Sequence, residues 1–138
     1  MCIRDSTLGN IYAKRDWGHA KDYVRAMHLM LQNDHPDDYV VSSGQTTTVR
    51  EFVDMSLKAL NFDYSWEGKG IDEKVIDKAT GKAIVQISKK YFRPAEVDLL
   101  FGNANKIQSK LGWSPEYSLD NLIDEMIKFE LDNPNLNF

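Results

Sequence analysis

The run Tyr91-Phe92-Arg93-Pro94-Ala95-Glu96-Val97-Asp98 gathers the groups of this chain best suited to holding a charged ligand. Pro94 removes a backbone donor and fixes its own φ near about −65°. The residue before a proline is pushed out of the helical region, so Arg93 is expected to be extended. A planar guanidinium with five donors then stands beside two carboxylates, Glu96 and Asp98. Arginine suits phosphate oxygens, and a carboxylate accepts from the hydroxyls of a ribose. Together they suit a sugar nucleotide. The same residues also allow a local arginine–carboxylate bridge at a strand end, which contributes little on a surface.

A second concentration is Ala13-Lys14-Arg15-Asp16-Trp17-Gly18-His19-Ala20-Lys21-Asp22. It reads either as a solvated loop or as a functional one, and Trp17 is a costly residue for a bare loop. Other chemistry is missing. There is no Gly-x-Gly-x-x-Gly; Gly68-x-Gly70 lacks the third glycine and a preceding strand. No P-loop, Tyr-x-x-x-Lys, Gly-x-Ser-x-Gly or His-Glu-x-x-His occurs. His19, His28 and His35 are scattered, and Cys2 is the only cysteine, so neither a metal site nor an internal disulfide is read. Groups for an anion are therefore present without a cofactor loop or a nucleophile–base pair. That leaves two readings, a small binding module or one part of an enzyme.

The bulk properties narrow the classes. The 138 residues suffice for one domain with a core. With 17 basic and 21 acidic residues the net charge is −4, which argues against a nucleic-acid module. No apolar run approaches the roughly 20 residues of a membrane span, and no secretory leader is read. A reducing cytoplasm is the expected location.

The elements that must position these groups follow α/β grammar. Residues 1–6 show no periodicity and are set aside as a leader, leaving 7–138 as the folded portion. Residues 8–12 suggest a short strand. A helix is expected over 21–33, with Tyr23, Met27, Met30 and Leu31 as its inward stripe. Residues 39–43 read as a buried strand. Thr48 and Glu51 form a capping box opening a helix to Leu60, with Val49, Phe52, Val53, Ser56 and Leu60 on one face. Residues 61–82 read as a loop with little fixed structure, and 83–88 as a strand delivering the chain to Arg93. Asn103 can cap a short helix with Ala104, Ile107 and Leu111 inward, ended by Gly112. Ser118 can cap a last helix with Leu119, Leu122, Ile123, Met126 and Ile127 as its stripe.

Several runs together resemble one known family. Leu8-Gly9-Asn10, Ala13 through Val24, Val49-Arg50-Glu51-Phe52-Val53, the Arg-Pro-x-Glu-Val-Asp run and Lys110-Leu111-Gly112-Trp113 are similar to GDP-mannose 4,6-dehydratases, in order and rough spacing. The resemblance covers about residues 8–127. It implies an extended short-chain dehydrogenase fold, of which this chain is the C-terminal part: the last Rossmann strand and helices with the small substrate-binding domain.

The resemblance further implies an NADP-dependent lyase in nucleotide-sugar metabolism. The family oxidises mannose C4, eliminates water across C5 and C6, and returns hydride to C6. The product, GDP-4-keto-6-deoxy-mannose, feeds GDP-fucose and related sugars. The family's glycine-rich loop and Tyr–Lys pair have no counterpart here, so NADP is assigned to an N-terminal half outside this chain, and the chain alone is expected to be inactive. For GDP-mannose, the implied contacts are Arg15 and Arg93 at the diphosphate and Glu96 at the ribose. Asn10, Lys14 and Trp17 line or support that site. Family members form homodimers or homotetramers. The alternative from another class is an independent α/β nucleotide-binding or assembly module without catalysis.

Overall fold

A computed structural model describes residues 6–93, 97 and 99–134. In chain order its elements are β1 (Ser6–Leu8), β2 (Lys14–Arg15), α1 (Ala20–Leu31), β3 (Thr47–Thr48), α2 (Val49–Ala59), β4 (Tyr64–Glu67), β5 (Lys74–Asp77), β6 (Ala83–Ile87), α3 (Asn105–Leu111) and α4 (Leu119–Asp132). Four strands form one sheet in the order β1-β6-β5-β4. β1 runs parallel to β6, while β4, β5 and β6 are an antiparallel meander. β2 and β3 make a separate antiparallel pair, Lys14 opposite Thr48 and Arg15 opposite Thr47.

Helices α2 and α4 begin where local chemistry places them, whereas α3 has Ala104, not the expected Asn103, at its N-cap and no side-chain cap bond. Thr48 Oγ1 accepts from the Glu51 amide at 3.1 Å, and Glu51 Oε2 accepts from the Thr48 amide at 2.7 Å. These bonds satisfy amide donors that have no partner inside the helix, and the Thr48 amide and hydroxyl, both donating to Glu51 Oε2, hold the Glu51 carboxyl below its ordinary pKa. Ser118 and Asn121 repeat the arrangement at α4. Thr48→Ala removes the cap and is expected to cost about 1 kcal/mol. Urea denaturation measures it; an unchanged midpoint would show that the box adds nothing. At the far end of α3, Gly112 has φ 65°, the left-handed cap that glycine tolerates best.

Two apolar clusters form the core. Ala26, Ala104, Ile107 and Trp113 hold α1 and α3 together, with Leu29, Met30, Tyr39, Val41 and Leu111 around them. Leu57, Val75, Ile84 and Val85 join α2 to the sheet, with Leu8, Val53, Phe62, Tyr64 and Trp66 against them.

Five expectations need correction. Residues 61–82 carry two strands and a 3-10 turn (Gly70–Asp72), with Val75 fully buried. The period-two pattern of Tyr64 and Trp66 was the signal, and the neighbouring charges masked it. Residues 39–43 pair with no strand among the described residues; Tyr39 and Val41 instead pack on the first cluster and Ser42 bonds the Gly102 carbonyl. The inward face of α1 is built on Asp22 and Ala26, while Met27 is 59% and Leu31 82% exposed. On α4 only Ile123 of the expected stripe is buried. The first strand also lies earlier than expected, with Ser6 already within it and Tyr12 outside it.

Candidate functional site

Asn10 and Arg93 are far apart in sequence, and the β1–β6 pairing brings them together. The Ser88 amide extends that pairing by donating to the Leu8 carbonyl at 2.8 Å. The chain then turns at 88–92, where the Tyr91 and Phe92 amides both donate to the Ser88 carbonyl. Gly9 lies flush against this turn: a Cβ there would sit 2.4 Å from the Tyr91 carbonyl oxygen. Glycine is therefore required by close backbone approach. This turn and the chain leaving β1 border a cavity of about 380 Å³ lined by Leu8, Gly9, Asn10, Val49, Lys90, Tyr91 and Arg93. Arg93 is exposed and makes no hydrogen bond or ion pair among the described residues. Two cations, a carboxamide and an aromatic ring facing one hollow suit an anion attached to a planar or cyclic group. Lys90 was not singled out from the sequence; its signal was the Lys89-Lys90 pair just before the aromatic residues.

Arg15 faces a different cavity, of about 310 Å³, shared with Asp16, Tyr23 and Phe101. Its Nη1 donates to the Lys14 carbonyl at 2.8 Å and to the Val97 carbonyl at 2.9 Å. Lys14 is exposed on β2 and bridges to Leu99 in parallel register. The structure thus sets Lys14 and Arg15 against the chain just beyond Arg93, but the two arginines line separate hollows. Trp17 lies elsewhere again. Its ring packs on Phe52 of α2 at 4.8 Å, and it lines a cavity of about 270 Å³ with Thr47 and Tyr117. Glu96 falls outside the described residues. Asp16, which sequence reasoning passed over, anchors this region by accepting from the Ser43 and Gly44 amides, each at 3.1 Å.

A nicotinamide dinucleotide needs uncommitted amides at a glycine-rich helix N-terminus. Among the described residues no α-helix opens on such a glycine-rich turn. The N-termini of α1, α2 and α4 each spend a backbone amide on their own cap: His19 Nδ1, Thr48 Oγ1 and Ser118 Oγ. A Cβ at Gly68 would meet the Asp72 carbonyl oxygen at 2.3 Å, so that glycine closes a turn and does not open a cradle. Among the described residues no group of three or more His, Cys, Asp or Glu could hold a metal ion. No helix among them is long and apolar enough to cross a membrane.

The parallel β1–β6 pair, its meander and the flanking helices match part of the extended short-chain dehydrogenase fold. UDP-glucose 4-epimerase from Thermotoga maritima, solved with UDP-glucose, superposes with a TM-score of 0.73 at 18% identity, over 96% of this chain and 37% of that one. dTDP-glucose 4,6-dehydratase from Bacillus anthracis, solved with NAD, gives 0.69 at 18% identity, over 94% and 35%. The sequence places the chain more narrowly. It belongs to the GDP-mannose 4,6-dehydratase family, whose model, described as GDP-mannose 4,6 dehydratase, matches residues 4–126. The human GDP-mannose 4,6 dehydratase is 48% identical over 133 residues, covering 94% of this chain and 36% of that protein. The Vibrio cholerae GDP-mannose 4,6-dehydratase is 46% identical over 134 residues, covering 90% and 36%. The chain spans about a third of the length of the curated relatives it matches.

Proposed function

We propose that these residues form the nucleotide-sugar side of a GDP-mannose 4,6-dehydratase, a lyase that removes water from GDP-mannose to give GDP-4-keto-6-deoxy-mannose. Arg93 and Arg15 take the diphosphate, Glu96 takes the ribose, and Asn10, Lys14 and Trp17 support them. The observation that carries the reading is the hollow shared by Asn10, Lys90 and Arg93, on a chain matched to this family over residues 4–126. Arg15 supports it from the side: its guanidinium reaches the carbonyl of Val97, four residues beyond Arg93. Two forks from separate segments, one of them bonded to the run just beyond the other, can grip a diphosphate that a single arginine holds less well.

The net acidity of the chain does not oppose this, since the field at the site counts for more than the total charge. In this reading the nicotinamide cofactor is NADP, held by residues outside this stretch. The setting is cytoplasmic, and the assembled enzyme is a homodimer or homotetramer.

Hydrogen bonds to charged groups contribute roughly 1.5–3 kcal/mol each. Arg93→Ala is therefore expected to weaken GDP binding at least about tenfold, since about 1.4 kcal/mol is one decade. Arg93→Lys restores only part, because a point charge cannot make the planar fork. Calorimetric titration of GDP into the purified chain and both variants measures this. A bridge-only role for Arg93 gives unchanged GDP affinity and a stability change under about 1 kcal/mol. That result would remove the site assignment.

A further inference from the structure

Glu73 is a carboxylate only 8% exposed, just before β5, and no part of the proposed site uses it. Its Oε1 accepts a hydrogen bond from the Tyr12 hydroxyl. Its Oε2 faces Arg50 Nε at 3.7 Å. Both of those facing atoms are buried, with no hydrogen-bond partner among the described residues. The Arg50 guanidinium lies over the Trp66 ring, 4.6 Å from its centroid. Trp66 is itself fixed to α2, because its Nε1 donates to Asp54 Oδ1 at 2.7 Å.

This cluster grips the turn that carries Asn10. The Tyr12 amide donates to Asn10 Oδ1 at 3.0 Å, which ties the Asn10 side chain to the backbone two residues on. The Arg50 amide donates to the Ile11 carbonyl at 2.8 Å, and the Val49 amide to the Ala13 carbonyl at 3.2 Å. Residues 10–13 are thereby held from α2 by the backbone and from the β4–β5 unit by Glu73. A buried carboxylate has lost its hydration and must keep its oxygens near donors. Only a narrow range of loop positions keeps Tyr12 and Arg50 both within reach. The hydrogen bond to Glu73, with burial and the Glu73 charge, raises the Tyr12 pKa above its ordinary value.

We propose that Glu73, clamped between Tyr12 and Arg50, is a positioning residue that seats Asn10 toward Arg93 and so sets the affinity of their shared cavity for a nucleoside diphosphate. The inference rests on reading that cavity as the diphosphate site. It gives the β4–β5 unit a part in ligand binding.

Tyr12→Phe is the decisive variant. It deletes one hydroxyl from a residue that is 51% exposed and leaves the ring in place, and a urea melt checks that the variant folds. Two readouts are taken on the purified chain: amide hydrogen exchange over 10–13, and GDP titration with Arg93→Ala as the control. Faster exchange at Tyr12, with GDP affinity weakened roughly 2- to 30-fold, supports the proposal. Glu73→Gln keeps an acceptor for Tyr12, whereas Glu73→Leu keeps similar volume without one; Gln nearer wild type than Leu in both readouts supports the proposal, and equal effects of the two overturn it. Unchanged exchange in Tyr12→Phe overturns the coupling. Changed exchange with unchanged GDP affinity overturns the positioning role if Arg93→Ala still loses affinity. If neither variant alters GDP binding, the reading of the cavity fails along with the proposal.

Discussion

Trp113→Ala is expected to destabilise the chain by about 3–5 kcal/mol, the range for emptying a buried aromatic site. Trp113 is 1% exposed and closes the cluster of Ala26, Ala104 and Ile107. Two of its neighbours there are alanines, which cannot lean in to fill the space. The indole also carries a polar duty, since Nε1 donates to the Asp22 carbonyl at 2.9 Å. Trp113→Phe keeps much of the ring volume and loses that bond, so its cost should fall clearly below that of alanine. Urea denaturation separates the cases through the midpoint, with the slope unchanged if the unfolded state is unaltered. A loss under 1 kcal/mol for alanine would mean that the α1–α3 cluster is not the centre of this half. The effect should also reach the Arg15 hollow, because Val41 lines that cavity and packs on the same cluster.

What was legible in the sequence was the chemistry closed within a few residues. The caps at Thr48 and Ser118, the left-handed Gly112 and the inward set of α3 each depend on neighbours in the chain. What was not legible depends on partners about fifty to a hundred residues away. The α1 stripe went wrong because hydrophobicity was taken to mean inward. Ala26 wins the inner face because it lets the Trp113 cluster approach, and Asp22 wins it because distant donors are waiting.

Glu73 and Asp77 read as solvated charges and so hid β5. The first is held by distant Tyr12; the second is the exception, held within three residues by the Ala79 amide and the Thr80 hydroxyl. The candidate site divides in the same way. Arg93 stood out by its type and by the proline after it. Its meeting with Asn10 required the β1–β6 register and the Gly9–Tyr91 contact, which no local pattern encodes. Arg15 was singled out too, but its backbone partner at Val97 and its separate hollow are tertiary facts.

Asp22→Asn should be nearly as damaging as Asp22→Ala, at about 3–5 kcal/mol, the range for breaking a buried charge pair. Asp22 is 2% exposed, yet its carboxylate is fully engaged. Oδ1 accepts from the Glu116 amide at 3.0 Å and from Arg25 Nη2 at 3.1 Å; Oδ2 accepts from the Tyr117 amide at 3.1 Å. Asparagine is close in size but presents an NH₂ where one of those donors points, so donor meets donor. The Arg25 guanidinium, which also reaches the Ser114 carbonyl, loses its buried counter-charge.

Protonation tests the same bonds. Burial pushes the Asp22 carboxyl upward, but the Glu116 and Tyr117 amides and Arg25 together outweigh it and hold the group below the ordinary value of 3.8. A depressed folded-state pKa gives stability that is present above the unfolded value and is lost as pH falls through the folded one. The gap in urea midpoint between wild type and Asp22→Asn should therefore be full at neutral pH and begin to close only below 3.8. A gap that closes well above that pH would mean that the amides do not hold the charged form.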